Sequence, residues 1–272
     1  MHDPESFSAS EVHVKRGQGT VLAGASFSLA PGEVISLLGA NGAGKSTLLS
    51  VLASEIKLDA AAHPGAGVSL NGAPISAMSL SRQARSRAVL PQTPGLGFDL
   101  DVKEVVAMGA YPFRDLSAQA VQSLTHSALE KADVAHLASR RYLELSGGEQ
   151  QRVQFARVLV QVLAARRADP QGRYMLLDEP TASLDPLHQQ TLLETVKELA
   201  QAERIGILLI LHDVNLAALW SDRVALLSEG VIFVCDEPAK ALTPGNLHKV
   251  YGVKVHVMEH PRRPGKPLVV FG

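Results

Sequence analysis

Cysteine is nearly absent: one thiol, Cys235, in 272 residues. A lone cysteine allows no internal disulfide and no cysteine-based metal cage, which suits a reducing compartment. An excess of one charge is also missing, with 26 Lys and Arg against 27 Asp and Glu. Such a balance gives no global attraction for nucleic acid or anionic lipid, so either would need a local patch. Long hydrophobic runs are missing too. The longest charge-free stretch, Ala60 to Ser81, contains Pro64, Pro74, Gly65, Gly67 and Gly72. A membrane span needs about 20 mostly apolar residues. The opening MHDPESFSASEVHV has neither the basic nor the apolar region of a secretory signal. These absences predict a soluble, cytosolic chain that binds no nucleic acid and that another chain must hold if it works at a membrane. With 46% apolar and 19% charged residues, disorder is excluded and a sizeable core is expected.

The N-terminal part reads as strands: Glu11 to Lys15, Val21 to Leu29 and Val34 to Leu38, with turns at Gly17 to Gly19 and Pro31-Gly32. A glycine-rich loop, Gly39 to Gly44, leads into a helical pattern over Lys45 to Ala53. Val68 to Leu70 is a further candidate strand before a turn at Asn71-Gly72. From Val102 to Ala138 the period is helical, and a long helix is expected from about Gly148 to Arg166. The polar run Arg166 to Arg173 reads as an exposed loop. Strand and helix then alternate: Tyr174 to Leu177, Pro186 to Gln201, Ile205 to Leu211, Val214 to Leu219 and Arg223 to Leu227. Alternation of this kind implies an α/β fold with a parallel sheet. Val253 to Met258 and Leu268 to Phe271 suggest a terminal β-hairpin.

Gly39-Ala40-Asn41-Gly42-Ala43-Gly44-Lys45-Ser46 fits GxxxxGK[ST], with an apolar strand before it and a helix after it. Glycines let backbone N–H groups turn inward as an anion nest, and the helix N-terminus adds partial positive charge. Thr47 continues the loop into the helix. Lys45 can reach the β- and γ-phosphates of a nucleotide, and the Ser46 hydroxyl can ligate Mg²⁺. The Asn-Lys-x-Asp base-reading motif of GTPases is absent.

Tyr174 to Pro180 (YMLLDEP) is an apolar strand ending in two carboxylates. In a parallel sheet, ligands sit beyond the carboxyl ends of strands. Asp178 would face the phosphates and hold Mg²⁺ through water, and Glu179 would polarise an attacking water as general base. Val231 to Pro238 (VIFVCDEP) has the same shape. Only the first copy leads into Thr181-Ala-Ser-Leu-Asp185, whereas Asp236 and Glu237 are expected to open a short helix.

Leu145 to Arg152 reads LSGGEQQR. Ser146 and Glu149 make a capping box, which suffices for a helix start. It leaves Gly147 and Gly148 unexplained, since glycine in a first turn costs up to about 1 kcal/mol each relative to alanine. Bare N–H groups there suit a second phosphate-binding surface.

At this point the sequence resembles the ATP-binding-cassette (ABC) ATPases over nearly its whole length. LSGGE looks like the family's signature, Gln92 its Q-loop, Ser183-Leu184-Asp185 its D-loop and His212 its switch histidine, all in family order. The resemblance implies an α/β P-loop NTPase cassette with a mixed, largely parallel sheet, an N-terminal antiparallel β part and an inserted α-helical subdomain. The matching boundaries are a RecA-like core over about 1–92 and 173–252, a helical subdomain over about 93–172 and a C-terminal β-hairpin over about 253–272. It also implies a head-to-tail dimer with a second copy. Each ATP would lie between the phosphate loop of one copy and Ser146, Gly147 and Gly148 of the other, with Asp185 at the seam. His212 would contact the γ-phosphate and orient Glu179 and its water, and Gln92 would sense Mg²⁺ and the γ-phosphate. Where the family usually stacks an aromatic on adenine, this sequence has Arg16, whose guanidinium can also stack on a flat ring.

Two function classes follow. One is the energy-coupling subunit of a membrane importer. The other is a soluble cassette in DNA repair, ribosome work or cluster assembly. About a hundred residues separate loop and signature with no heptad run, unlike the coiled coils of DNA-repair cassettes, and the chain carries one cassette where ribosome-acting members usually carry two; cluster assembly stays as the alternative. Among importers it is similar to the ATPases for iron-siderophores, heme and vitamin B12, with heme the expected cargo. The supporting segments are His212-Asp-Val-Asn-Leu-Ala-Ala, Leu242-Thr-Pro-Gly-Asn-Leu and Val250-Tyr-Gly-Val. The resemblance then implies two copies of a transmembrane permease subunit, an indirect link to a periplasmic substrate-binding protein, and a peripheral place on the cytoplasmic face of the bacterial inner membrane. Leu96, Phe98 and Leu100 would line the groove that receives the permease. None of the ten scattered histidines is read as a heme ligand.

Overall fold

The computed structural model describes residues 6–17, 19–59, 62–92, 95–97, 99–166, 168–169 and 171–272. Strands β1 (Phe7–Arg16) and β2 (Gly19–Leu29) form an antiparallel pair. β3 (Val34–Leu38) runs into the glycine-rich loop and helix α1 (Lys45–Leu52). β4 (Gly67–Leu70) and β5 (Ala73–Pro74) turn at Asn71-Gly72, and α2 (Leu80–Ser86) leads into β6 (Arg87–Leu90). The helical middle holds α3 (Val102–Ala107), α4 (Ala118–Lys131) and α5 (Gly147–Leu163). β7 (Arg173–Asp178), α6 (Pro186–Glu203), β8 (Ile205–Ile210), α7 (Val214–Trp220) and β9 (Arg223–Ser228) alternate after it. β10 (Val231–Asp236), α8 (Pro238–Ala241), α9 (Pro244–Tyr251) and the hairpin β11 (Val255–Glu259) with β12 (Pro267–Phe271) complete the chain.

The central sheet has the order β10-β9-β3-β8-β7-β6. β9, β3, β8, β7 and β6 are parallel, and β10 closes one edge antiparallel. A second, antiparallel sheet has the order β2-β1-β4-β5. β3 and β8 are buried along their whole length, as parallel strands covered on both faces must be. Side-chain alternation splits them between two cores. Ile35, Leu37, Tyr174, Leu176, Leu208 and Ile210 face α1 and the antiparallel sheet. Val34, Leu38, Met175, Leu177, Ile207 and Leu209 face the core that contains α5, α6 and α7. The hairpin is fastened to α7 by Asn215, whose amide pairs with both backbone groups of Val269 at 3.0 and 2.8 Å.

Two local expectations need correction. The long helix ends at Leu163, short of Arg166, because Ala164 turns to an extended ψ of 130° and Ala165 takes φ +53°. Arg173 is no exposed loop residue: it is 1% exposed and opens β7. Its Nη1 donates to Val162 O at 2.9 Å and to Ala164 O, which satisfies carbonyls that the end of α5 leaves open. Asp236 and Glu237 do precede a short helix, α8. Leu96 and Leu100 are half-buried against the larger core, while Thr93, Pro94 and Phe98 lie outside the described residues.

Candidate active site

The site gathers at the carboxyl ends of the parallel strands. Gly44 caps α1 at φ +105°, a conformation that a side chain would strain, and a Cβ there would sit 3.0 Å from Val21 O. This turn aims the first N–H groups of α1 into the loop. Lys45 is buried, and its Nζ donates to Gly39 O at 2.8 Å and to Ala40 O at 3.1 Å. Burial pushes its pKa down, opposed by the charges of Glu179 and Asp178. A cation held in this way, with carbonyls for partners, is a receptor for an anion.

A cleft of about 520 Å³ opens over the loop, lined by Arg16, Val21, Asn41, Gly42, Gly44, Lys45, Ser46, Thr47, Gln92, Glu179 and His212. The volume suits a nucleotide-sized ligand. Gly39 and Ala43 belong to the loop but not to the cleft wall: Gly39 backs onto Leu227 O, and Ala43 packs on the smaller core. Arg16, at the end of β1, is exposed on the wall.

Three residues far apart in sequence meet on one carboxylate. Glu179 Oε1 lies 2.6 Å from His212 Nε2, and Gln92 Nε2 donates to Glu179 Oε2 at 2.9 Å. Glu179 sits at φ +49°, with its N–H bonded to Ile210 O at 3.1 Å. That turn sends its side chain over the cleft while Asp178 stays below. Asp178 is 4% exposed, and burial pushes its pKa up against a hydrogen bond from Ser46 and the charge of Lys45. Its Oδ1 is buried without a partner among the described residues. An orphaned carboxylate oxygen beside a serine hydroxyl fits a hydrated divalent cation. Among the described residues no group of three or more His, Cys, Asp or Glu could hold a metal, so phosphate and water oxygens would supply the remaining ligands.

The second group of expected residues does not line this cleft. Ser146 caps α5 by accepting from Glu149 N–H, and Glu149 Oε2 returns to Ser146 N–H at 2.8 Å and to Ser146 Oγ at 2.8 Å. These contacts pull the Glu149 carboxyl below its ordinary range. The two glycines differ. A Cβ on Gly148 would lie 2.8 Å from Ser183 O, whereas one on Gly147 meets open space. Gly148 is thus explained inside the chain, and Gly147 leaves a bare approach to the helix N-terminus. Asp185 caps α6 through His188 N–H at 3.0 Å. Sequence reasoning missed Val21 and Tyr251. Tyr251 is hydrogen-bonded to the Gly39 backbone, and burial pushes its phenol up to about 12. No sequence signal singles it out, because α9 reaches the loop only in the folded chain.

A phosphate loop at the end of a parallel strand, with an acid pair at the same end of the sheet, Asp178 buried and Glu179 on the cleft wall, defines a nucleotide-hydrolysing P-loop cassette. A model for the family described as ABC transporter matches residues 22–182; the chain belongs to that family and is one of its ATPases. It is similar to the hemin import ATP-binding protein HmuV of Bordetella avium (strain 197N), with 51% identity over 264 residues that cover 97% of this chain and 98% of that protein. In fold it is similar to the structure of an ABC transporter assigned to the metal-chelate type, in an inward-facing conformation. There the TM-score is 0.76 at 22% identity, with 98% of both chains covered. It also matches a dimeric bacterial ABC transporter cassette, with a TM-score of 0.73 at 22% identity over 85% of this chain and 98% of that one. No helix among the described residues is long and apolar enough to cross a membrane.

Proposed function

We propose that this chain is the ATP-hydrolysing subunit of a bacterial importer for heme. The observation that carries the catalytic half is the convergence of Gln92 and His212 on the two oxygens of Glu179, at the rim of the phosphate-loop cleft. Glu179 is the general base for the attacking water, His212 holds and orients it, and Gln92 reports on the γ-phosphate end of the cleft. Lys45, with the N–H groups of the loop and the start of α1, cradles the phosphates, and Arg16 stacks on the base. Ser46, Asp178 and Gln92 would hold Mg²⁺, which would neutralise charge on the phosphates of a bound nucleotide.

The Ser146–Gly148 turn faces a second copy. Its bare N–H groups and the open space at Gly147 support a composite site completed head to tail, with Asp185 at the seam. The segment 93–172 acts as a helical arm on the core 1–92 and 173–252, and two permease subunits engage it on the cytoplasmic face of the inner membrane. A periplasmic binding protein delivers the cargo to them. The choice of heme rests on 51% identity over nearly the whole chain to a hemin import ATP-binding protein.

The test is reconstitution with its permease, in vesicles, with ATP inside and heme-loaded binding protein outside. Heme uptake that stops with Glu179→Gln supports the proposal. ATP turnover stimulated equally by a ferric siderophore or vitamin B12, but not by heme, would assign another cargo.

A further inference from the structure

Away from the cleft, a set of titratable side chains gathers where α6 leaves the Asp185 turn. His188, in the first turn of α6, stands between two carboxylates. Its Nδ1 is 2.8 Å from Asp185 Oδ2, and its Nε2 is 3.4 Å from Asp133 Oδ2. Asp133 follows α4, so the imidazole spans from the core to the helical segment. Arg152 of α5 closes the row: its Nη1 donates to Asp133 O at 2.6 Å and to Asp133 Oδ2 at 3.3 Å. Lys131 lines the same small cavity.

We infer that His188 is a positioning residue that couples the orientation of the signature helix α5 to the Asp185 turn. This rests on the reading above, in which Asp185 and Ser146–Gly148 face a second copy. Three features support it. First, the two carboxylate contacts use different ring nitrogens. The Asp185 contact is a hydrogen bond, and the Asp133 carboxylate faces the other nitrogen at ion-pair distance. Second, the contacts divide unequally in space. The Asp185 contact lies within one helical turn, while the Asp133 contact crosses to the helical segment. A shift of that segment strains the crossing contact and is delivered to Asp185. Third, the turn touches α5 a second time, since Gly148 packs so closely on Ser183 O that a Cβ would lie at 2.8 Å. Ser183 and Asp185 are two residues apart, so one short turn meets α5 directly at Ser183 and, from Asp185, through His188 and Asp133 to Arg152.

The helix cap is separable from this role. Asp185 Oδ1 accepts from the His188 backbone N–H, and only Oδ2 meets the ring. Removing the imidazole leaves the cap in place and releases the second oxygen.

The experiment compares His188→Ala, His188→Gln, Asp133→Ala and the double variant His188→Ala/Asp133→Ala in the full-length chain assembled with its permease. It measures kcat and KM for ATP, nucleotide affinity of the unassembled chain, and Tm. We expect His188→Ala to lower kcat about tenfold, with nucleotide affinity within about twofold of wild type. His188→Gln, which keeps one donor, recovers part of the rate. Asp133→Ala matches His188→Ala, and the double variant is no worse than either single one. Unchanged kcat, additive losses in the double variant, or a kcat loss that merely follows a falling Tm would each overturn the coupling. A Glu179→Gln control in the same preparation separates the two levels. If it is inactive while the His188 variants are normal, only the coupling fails. If it turns over ATP at the wild-type rate, the reading of the site fails as well.

Discussion

Replacing Arg173 by alanine tests how the signature helix is anchored. The guanidinium is 1% exposed and bonds two carbonyls at the C-terminus of α5, Val162 O and Ala164 O. Each carbonyl left buried without a donor costs about 1–3 kcal/mol. The two stem methylenes beyond Cβ add roughly 1.6 kcal/mol of lost burial, and a further loss comes from the Phe113 ring, whose centroid lies 5.0 Å from the guanidinium carbon. One term runs the other way. Nε lacks a hydrogen-bond partner, Nη2 meets only the Asp169 carboxylate at 3.7 Å, and burial pushes the group down to about 10. Deleting the charge returns on the order of 2 kcal/mol of desolvation, after discounting for solvent screening. The balance is a loss of about 3 kcal/mol, or roughly 6 °C in Tm at about 2 °C per kcal/mol for a chain of this size. Arg173→Met keeps the stem packing but gives neither carbonyl a donor, and should lose about half as much. Calorimetry gives the Tm values, and hydrogen exchange should show the last turn of α5 opening first. An alanine variant within 1 °C of wild type, or a methionine variant as stable as wild type, would refute the anchoring argument.

Four further outcomes are expected. Glu179→Gln should retain ATP binding while hydrolysis in the assembled complex falls about 10²–10⁴-fold, whereas Asp236→Asn, in the look-alike segment, should leave turnover near wild type; single-turnover assays compare them. Asp178→Asn should stabilise the nucleotide-free chain at pH 7 while abolishing hydrolysis. Burial raises the Asp178 pKa above its unfolded value of 3.8, so the native state binds the proton more tightly and stability falls as pH rises from that value through the folded pKa. The stabilising effect of the amide should therefore disappear below pH 3.8, and a thermal scan in which it persists there would contradict the assignment. Gly148→Ala should lower both Tm and turnover through its clash with Ser183 O, while Gly147→Ala should raise Tm slightly and weaken ATP-driven dimer formation, measured by light scattering with Glu179→Gln. Ser146→Arg mixed with Lys45→Ala should restore one composite site per dimer, and mixtures that never close with ATP would exclude head-to-tail pairing.

The order of elements, the parallel sheet and the phosphate loop were legible in the sequence because they rest on local chemistry. Runs such as VISLL and ILLI can be satisfied only by burial on both faces, and GxxxxGK fixes its own backbone through glycines that tolerate positive φ. The capping box at Ser146 and Glu149 was legible for the same reason, since a cap is closed within four residues. Which partner each side chain meets is a different matter. Gln92, Glu179 and His212 are separated by dozens of residues, and only the alignment of β6, β7 and β8 in the sheet brings them onto one carboxylate. Arg173 looked like a loop residue because its neighbours are polar, yet the open carbonyls at the end of α5 draw it into the core. The two signature glycines are identical in sequence; the carbonyl of Ser183, which arrives from another part of the chain, gives one of them a packing role and leaves the other open. Tyr251 reaches the phosphate loop and His188 reaches Asp133 only through the packing of whole elements, which no local pattern records.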